Sequence, residues 1–327
     1  MSFKDRFLGR IEAKPRLKWG LIGQGVEAER LRAAYQAEGA ELIGQAAAAA
    51  ADEVIRAPGL QAVEVVAPPE AQTQVARRCL AAGLHTSIGA PLALDLRDAD
   101  DLIRAASAHH TILRVRNHLL YYEPVFKAKQ LLADHALGRL MTLKLMVKYG
   151  QGCDTAGAEN RADWILRRET GFLALSQYFF GPAAKVHARL EPGASSVLMW
   201  KYQEHYQYGY LQLDFCPGLH VRTFTDPVSR WIEITGTGGM LFIPRGEGQL
   251  LRGPALMVRG RETTTAYEMV QDDFRQVWPN LAREMFQVVY LRQPVRSDAA
   301  LSRQALLLAL LAGQSASRKD EVALAQV

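Results

Sequence analysis

The stretch Trp19-Gly-Leu-Ile-Gly-Gln-Gly-Val-Glu-Ala28 constrains the fold of this chain more tightly than any other. It predicts a short apolar strand, a glycine turn and a helix that runs on through Tyr35. Gly23, Gly25 and Ala28 keep the G-x-G-x-x-G/A spacing of a dinucleotide-binding loop. Each small residue has its own physical task there. Gly23 permits the tight turn, Gly25 lets backbone approach a pyrophosphate, and Ala28 lets helix pack on strand. The helix start presents unpaired N–H groups and a partial positive charge to phosphates. Glu27 opposes that use, because its carboxylate is itself favoured at a helix start and would repel a pyrophosphate. A glycine turn between strand and helix also occurs without any ligand, so the spacing alone leaves occupancy open.

At 327 residues the chain has room for two domains with cores of their own. Hydrophobic residues make up 49% and the mean hydropathy is −0.09, the balance of a soluble globular protein. The apolar run Ala305 to Ala312 is too short for a membrane span. Met1-Ser-Phe-Lys-Asp-Arg-Phe lacks the apolar core of a secretory signal. Cys79, Cys153 and Cys216 lie in separate segments without a CxxC pair or a Cys/His cluster. No metal is therefore expected, and the thiols suit a reducing cytoplasm. The net charge of +5 and pI near 9.1 come from scattered basic residues, with no run or aromatic-interleaved stripe. Neither nucleic acid nor a membrane is an expected partner.

Along the chain, strand and helix signals alternate as far as residue 120. Ala40 to Gly44 predicts a second strand. The position after it that would carry an acid for ribose hydroxyls instead reads Gln45 and an alanine run, Ala46 to Ala51. Asp52 and Glu53 come later and fit solvated helix charges. Ala62 to Ala67 predicts a third strand, followed by a helix with apolar spacing at Val75, Cys79, Leu80 and Leu84. A doubly wound parallel sheet follows from this α/β alternation. Beyond residue 120 a helix reaches His135, and then period-two stretches take over. These are Leu140–Lys148, Ala184–Leu190, Ser195–Glu204, Tyr206–Phe215, His220–Thr225 and Trp231–Thr235. Glycine and proline turns separate them, which predicts a large, mainly antiparallel sheet with one face packed. Two helices, Asp272–Leu291 and Ser297–Ser317, close the chain. The expected organisation is residues 1–120 as one domain and 121–327 as an α+β domain, with the last helices packing back on the first.

Those elements carry particular residues in a particular order. Gly20-Leu-Ile-Gly-Gln-Gly25 is followed by Ala81-Ala-Gly-Leu-His85, Pro91-Leu-Ala93, Pro124 and Leu137-Gly-Arg139. Later come Ile234-Thr-Gly-Thr-Gly-Gly-Met-Leu-Phe242 and the closing helix with Ser315. In this order and spacing the chain resembles the glucose–fructose oxidoreductase, inositol dehydrogenase and rhizopine-catabolism (Gfo/Idh/MocA) family over nearly its whole length. The resemblance implies a Rossmann-type first domain and an open mixed sheet used in oligomer contacts. It also implies NAD(P)-linked oxidation of sugars and polyols.

Most functional residues of that family do not carry over. Its Glu-Lys-Pro triplet falls on Gly89-Ala90-Pro91, so the lysine that binds and polarises substrate is Ala90. Its later aspartate and catalytic histidine fall on Ala174 and Tyr178. Its ribose-binding acid falls on Ala47 or a neighbour, and the histidine often found after the third strand falls on Gln72. Two segments, after Ala51 and after Tyr178, are short by the family's pattern. Alcohol oxidation needs a recipient for the hydroxyl proton, and a positioned base contributes ~10²–10⁴-fold. Alanine supplies none. Tyr178 would act as one only with its reference pKa of ~10 lowered by a cation, and Arg167 and Arg168 are nearest in sequence. An ordinary half-buried aromatic is the plainer account of Tyr178.

Other polar groups mark a ligand cleft. Arg114, Arg116 and His118 share one face of a strand, and Asn117, Tyr121 and Tyr122 adjoin them. They suit a ligand carboxylate or phosphate and equally suit interdomain salt bridges. Trp164, Arg167 and Arg168 precede the altered catalytic segment as candidate pocket residues. Tyr206, Tyr208 and Tyr210 alternate on one strand and fit a subunit interface, while Asp226, Arg230 and Glu233 fit ordinary turn and sheet charges. Two functions follow. One is a divergent protein that binds or converts a small metabolite with the usual dehydrogenation lost or altered, by a non-redox step or as a partner subunit. The other is a working NAD(P)-dependent oxidoreductase with a relocated proton relay at Tyr178 or His118. The missing ribose acid leaves more room for NADP than for NAD. A homo-oligomer, dimer or tetramer, is expected through the second sheet.

Overall fold

The computed structural model describes residues 16–153, 157–191, 195–203, 207–220, 228–244 and 253–324. Tyr206, Asp226 and most of the expected strand His220–Thr225 lie outside them. The first half alternates as its sequence predicts. The elements are β1 (Lys18–Gly23), α1 (Val26–Ala37), β2 (Glu41–Ala46), α2 (Ala51–Ile55), β3 (Ala62–Val66), α3 (Pro69–Ala81), β4 (His85–Gly89), α4 (Leu96–Ala108) and β5 (Leu113–Arg116). The strands form one parallel sheet in the order β2-β1-β3-β4-β5. β1 is buried from Trp19 onward, as a strand covered by helices on both faces must be. The alanine run becomes a single 3-10 turn (Ala48–Ala50) leading into the short α2.

Because β1 lies between β2 and β3, the winding direction reverses at β1. A crevice opens at the carboxyl ends of β1 and β3, where Gly23 and Val66 stand in register. α4 shows the local logic of the helices. Ala99, Leu102 and Ala106 recur on its buried face, and the Asp95 side chain accepts a bond from the Asp98 N–H at its start. Such a cap is worth about 1 kcal/mol.

The second half begins with a 3-10 turn (His118–Tyr121), α5 (Glu123–Ala133) and β6 (Leu140–Tyr149). α6 (Arg161–Trp164) passes through a π-helical turn (Ile165–Glu169) into α7 (Thr170–Phe180). Then follow β7 (Ala183–Arg189), β8 (Ser196–Tyr202), β9 (Tyr208–Phe215), β10 (Val228–Gly236), β11 (Gly239–Ile243), β12 (Met257–Arg259) and β13 (Thr264–Ala266). α8 (Val277–Leu291), α9 (Ala299–Arg318) and β14 (Val322–Ala323) complete it. These strands make a nine-stranded sheet in the order β13-β12-β11-β10-β6-β9-β8-β7-β14. Only the β6–β9 pair in it is parallel. Leu143, Leu145, Val147 and Tyr149 point inward from β6, while the residues between them face outward. The period-two pattern thus gives one packed and one open face.

The closing helices tie the halves together. α8 packs on α1, and α9 packs on α7, β7 and α4. Ser297 O accepts the Val115 N–H at 3.1 Å, so the segment before α9 continues the first sheet beside β5. One apolar core therefore runs from Trp19, Leu21 and Tyr35 through Tyr121 and Trp164 to the inner face of the second sheet. No described helix is long and apolar enough to cross a membrane.

Candidate ligand cleft at the end of the first sheet

Two adjoining cavities, of about 250 and 150 Å³, open at the crevice and share Glu27, Gly89, Ala90 and Arg116. The larger is completed by Gln24, Gln72 and the Val66–Pro69 segment after β3. The smaller lies where the halves meet, and Asn117, His118, Leu119, Arg168, Gly171, Phe172 and Arg230 complete it. A third hollow of about 470 Å³ lies against α9 and is mostly apolar, lined by Leu96, Leu307, Leu310 and Leu311.

The glycine turn has the predicted construction. A Cβ on Gly23, at φ +139°, would sit 2.0 Å from the Val66 carbonyl oxygen, so β1 and β3 approach too closely for any side chain there. Gly25 caps α1 at φ +96° and faces open space. Ala28 is 1% exposed and packs the helix on the sheet. The Glu29 N–H makes the first bond of the helix, to Gly25 O, so the preceding amides have no partner within it.

Glu27 turns inward. Its Oε1 accepts from Arg116 Nε at 3.0 Å and lies 3.8 Å from His118 Nε2. Burial would raise its pKa, but Arg116 and then His118 outweigh that and hold the carboxyl below its usual value. Four of the five N–H donors of Arg116 are engaged within the protein. Its Nη1 donates to Glu64 Oε2 (2.7 Å) and Ser87 O (3.0 Å), and its Nη2 to Val65 O (2.8 Å). Arg114 donates to the other Glu64 oxygen, to Ser87 Oγ and to Leu281 O in α8. Both arginines form salt bridges, but only Arg114 reaches the second half, at Glu284, while Arg116 pairs within the first half and also lines both cavities.

Gln72 anchors the opposite wall. It donates to Gly89 O (2.9 Å) and Pro91 O (3.1 Å) and accepts from the Gly89 N–H (2.8 Å). The turn it holds carries Ala90, which presents only a methyl group to the cleft. Across from it the π-helical turn sends Arg168 outward and Glu169 into the core, where Glu169 accepts from Tyr149 and Arg230. The Arg168 guanidinium lies 4.8 Å from the Trp164 ring centre. π-helical turns are rare and cluster at functional sites.

Of the residues singled out from sequence, Arg116, Asn117, His118 and Arg168 meet in the cleft. Asn117 is also held by Ser297 Oγ (2.6 Å) and Ser302 Oγ (3.1 Å). Tyr121, Tyr122, Trp164, Arg167 and Tyr178 are not brought to its lining. Tyr121 donates to Glu284 at 2.6 Å, and Arg167 binds Asp163 and Glu70. Trp164 is buried against Tyr149 and Phe215, and Tyr122 against Phe274. The cations around Tyr178 are Lys129, 5.1 Å from its ring, and Arg296, and not the sequence-near Arg167 and Arg168. Burial raises the Tyr178 pKa, opposite to what a base requires. Sequence reasoning passed over Glu64, the structural use of Gln72, and Arg230, which faces the cleft as well as the sheet. A lone acid inside the apolar strand Ala62-Val-Glu-Val-Val was the available signal for Glu64.

A dinucleotide fits this site only in part. The backbone turn suits a pyrophosphate, but Glu27 brings a carboxylate to the same helix start. The end of β2 offers Gln45, Ala46 and Ala47 to a ribose. Asp52 pairs instead with Arg56 and Arg78. Among the described residues no group of His, Cys, Asp and Glu is arranged to hold a metal ion.

The profile of an oxidoreductase family with an NAD-binding Rossmann fold, GFO_IDH_MocA, matches residues 18–117. No curated protein matches the chain. Solved structures share the fold over nearly its whole length. A probable dehydrogenase from Thermotoga maritima superposes with TM-score 0.77 at 16% identity, over 95% of this chain and 100% of that one. An oxidoreductase from Agrobacterium radiobacter, in complex with NAD+, L-tartaric acid and magnesium, gives 0.77 at 16% identity over 95% and 99%. A levoglucosan dehydrogenase in complex with NADH gives 0.79 at 15% identity over 96% and 100%.

Proposed function

Residues 18–117 match the Gfo/Idh/MocA oxidoreductase family, and on that premise we propose that the chain is a divergent member of it. In this reading it binds or converts a small metabolite in the cleft, with the sugar and polyol dehydrogenation of its family lost or altered. One observation carries the proposal. The turn that Gln72 holds against the cleft bears Ala90, a methyl group, at the position where the family resemblance puts lysine. A side chain without a polar atom neither polarises an alcohol nor takes its proton. The polar groups that do face the cleft are Glu27, its partner Arg116, Asn117, His118, Arg168 and Arg230. They suit recognition of a small polar metabolite, with Arg168 as the exposed cation at its mouth.

The competing reading, a working NAD(P)-dependent oxidoreductase, draws support from the intact glycine turn and from His118 in the cleft as a relay. Under that reading NADP is preferred, since no carboxylate at the end of β2 would oppose a 2′-phosphate. Under either reading the protein is cytoplasmic and self-associates through the outer face of its second sheet. A panel of sugars, polyols and their acids incubated with NAD+ or NADP+ separates the two. Our reading expects no reduced nicotinamide. It also expects that metabolites raising the melting temperature of the wild type lose that effect in Arg168→Ala. Sustained nicotinamide reduction would overturn it.

A further inference from the structure

We infer that Glu27 is a specificity-determining residue whose carboxylate excludes dinucleotides from the glycine turn. The inference rests on the reading of an altered dinucleotide site and names the residue that alters it. Three observations converge on Glu27. Its own backbone amide lies in the first turn of α1, among the N–H groups that would receive a pyrophosphate. Its side chain lines both cavities, between that turn and Ala90. It is also held there, because Arg116, its partner at 3.0 Å, is 2% exposed and fixed by Glu64, Ser87 and Val65.

The preference of any helix start for an acid does not explain this arrangement. Glu29 occupies the same first turn and stays exposed, which is where a favourable interaction with the helix dipole alone would leave it. Glu27 instead reaches across the crevice to the far strand. A ligand pyrophosphate would be placed against a fixed negative charge in a partly water-excluded site, where repulsion is screened less than at the surface. Swinging Glu27 away would leave Arg116 Nε without its acceptor, so the charge does not yield easily.

The test compares wild type, Glu27→Gln and Glu27→Ala. Each is titrated with NADH, NADPH and ADP-ribose, using nicotinamide fluorescence and calorimetry. The glutamine keeps a carbonyl for Arg116 and removes only the charge, so a fold defect in the alanine variant does not spoil the comparison. Removing the charge is expected to strengthen binding of all three probes by roughly tenfold or more in both variants. No gain in a folded Glu27→Gln protein would overturn the inference while leaving the proposed function standing. A gain in Glu27→Ala alone would also overturn it, since space and not charge would then decide. Tight binding of NADH or NADPH by the wild type would overturn the inference, and the proposed function falls only where oxidation of a sugar or polyol follows that binding.

Discussion

Arg116 Nη1 donates to Glu64 Oε2 at 2.7 Å with both side chains 1% exposed, a charge pair sealed inside the first sheet. Arg114 bonds the other oxygen of Glu64, and the Tyr35 hydroxyl donates to it at 2.5 Å. Through Arg114 the network also reaches Glu284 and Leu281 in α8. It therefore sets the geometry of Glu27 above it and docks the closing helix on the first sheet. Burial alone would raise the Glu64 pKa, but Arg114 and Arg116 hold it below the ordinary carboxylate range.

Glu64→Gln is therefore expected to cost about 3–5 kcal/mol, because it removes the charge that two buried arginines share and leaves Arg116 only Glu27 and Arg114 only Glu284. Urea unfolding measures it. The pH dependence has a definite sign. A carboxyl with a depressed folded-state pKa stabilises the protein above its unfolded value of ~4.3, and that stability is lost as pH falls toward the folded value. The wild type should lose stability below about pH 4, and the variant should show a shallower acid slope.

The two glycines of the turn should respond differently to alanine. Gly23→Ala drives a Cβ into the Val66 carbonyl and is expected to destabilise by about 3 kcal/mol or more. Gly25→Ala meets open space and carries only the strain of its positive φ, about 1–2 kcal/mol. Thermal unfolding of the pair checks the order.

Tyr178→Phe should leave ligand-induced stabilisation and any turnover unchanged, since the ring lies outside the cleft lining and burial raises its pKa. A drop of tenfold or more in turnover, or a shifted pH profile, would return Tyr178 to the mechanism.

The outer face of the second sheet carries Val197 (42% exposed) and Met199 (37%) on β8. Met199 is in register with Tyr210, and Met146 with Trp231. Trp231 in turn meets Phe242 edge-on at 5.1 Å. Mixed apolar and aromatic faces of this kind are covered in stable assemblies. Under the proposed self-association through this face, the wild type is expected to scatter light as an oligomer and Val197→Arg with Met199→Arg as a folded monomer; a monomeric wild type would contradict it.

The sequence carried the fold well because its signals are local. Gly23, Gly25 and Ala28 mark their turn by a local spacing, even though the close approach that demands Gly23 comes from Val66 on β3. The period-two stretches likewise specify which face is buried. It carried the site less well. The sequence suggests one strand face for Arg116 and His118, but the strand ends at Arg116 and His118 opens the 3-10 turn after it. Whether Arg116 meets a ligand or an acid depends on Glu64 and Glu27, 52 and 89 residues away. Arg230 lies on a strand whose alternation shows only the sheet. Its place in the cleft comes from β10 running beside β6 toward the π-helical turn. Alignment to a motif points to Tyr178, whereas packing sets its ring beside Lys129 and outside the lining of both cavities.

Calorimetric titration of the wild-type protein with NADH and NADPH tests the central claim most directly. An altered site with Glu27 at the helix start and Ala90 in the cleft predicts no saturable binding at high micromolar cofactor. Tight, saturable binding of either cofactor, followed by oxidation of any sugar or polyol, would contradict it.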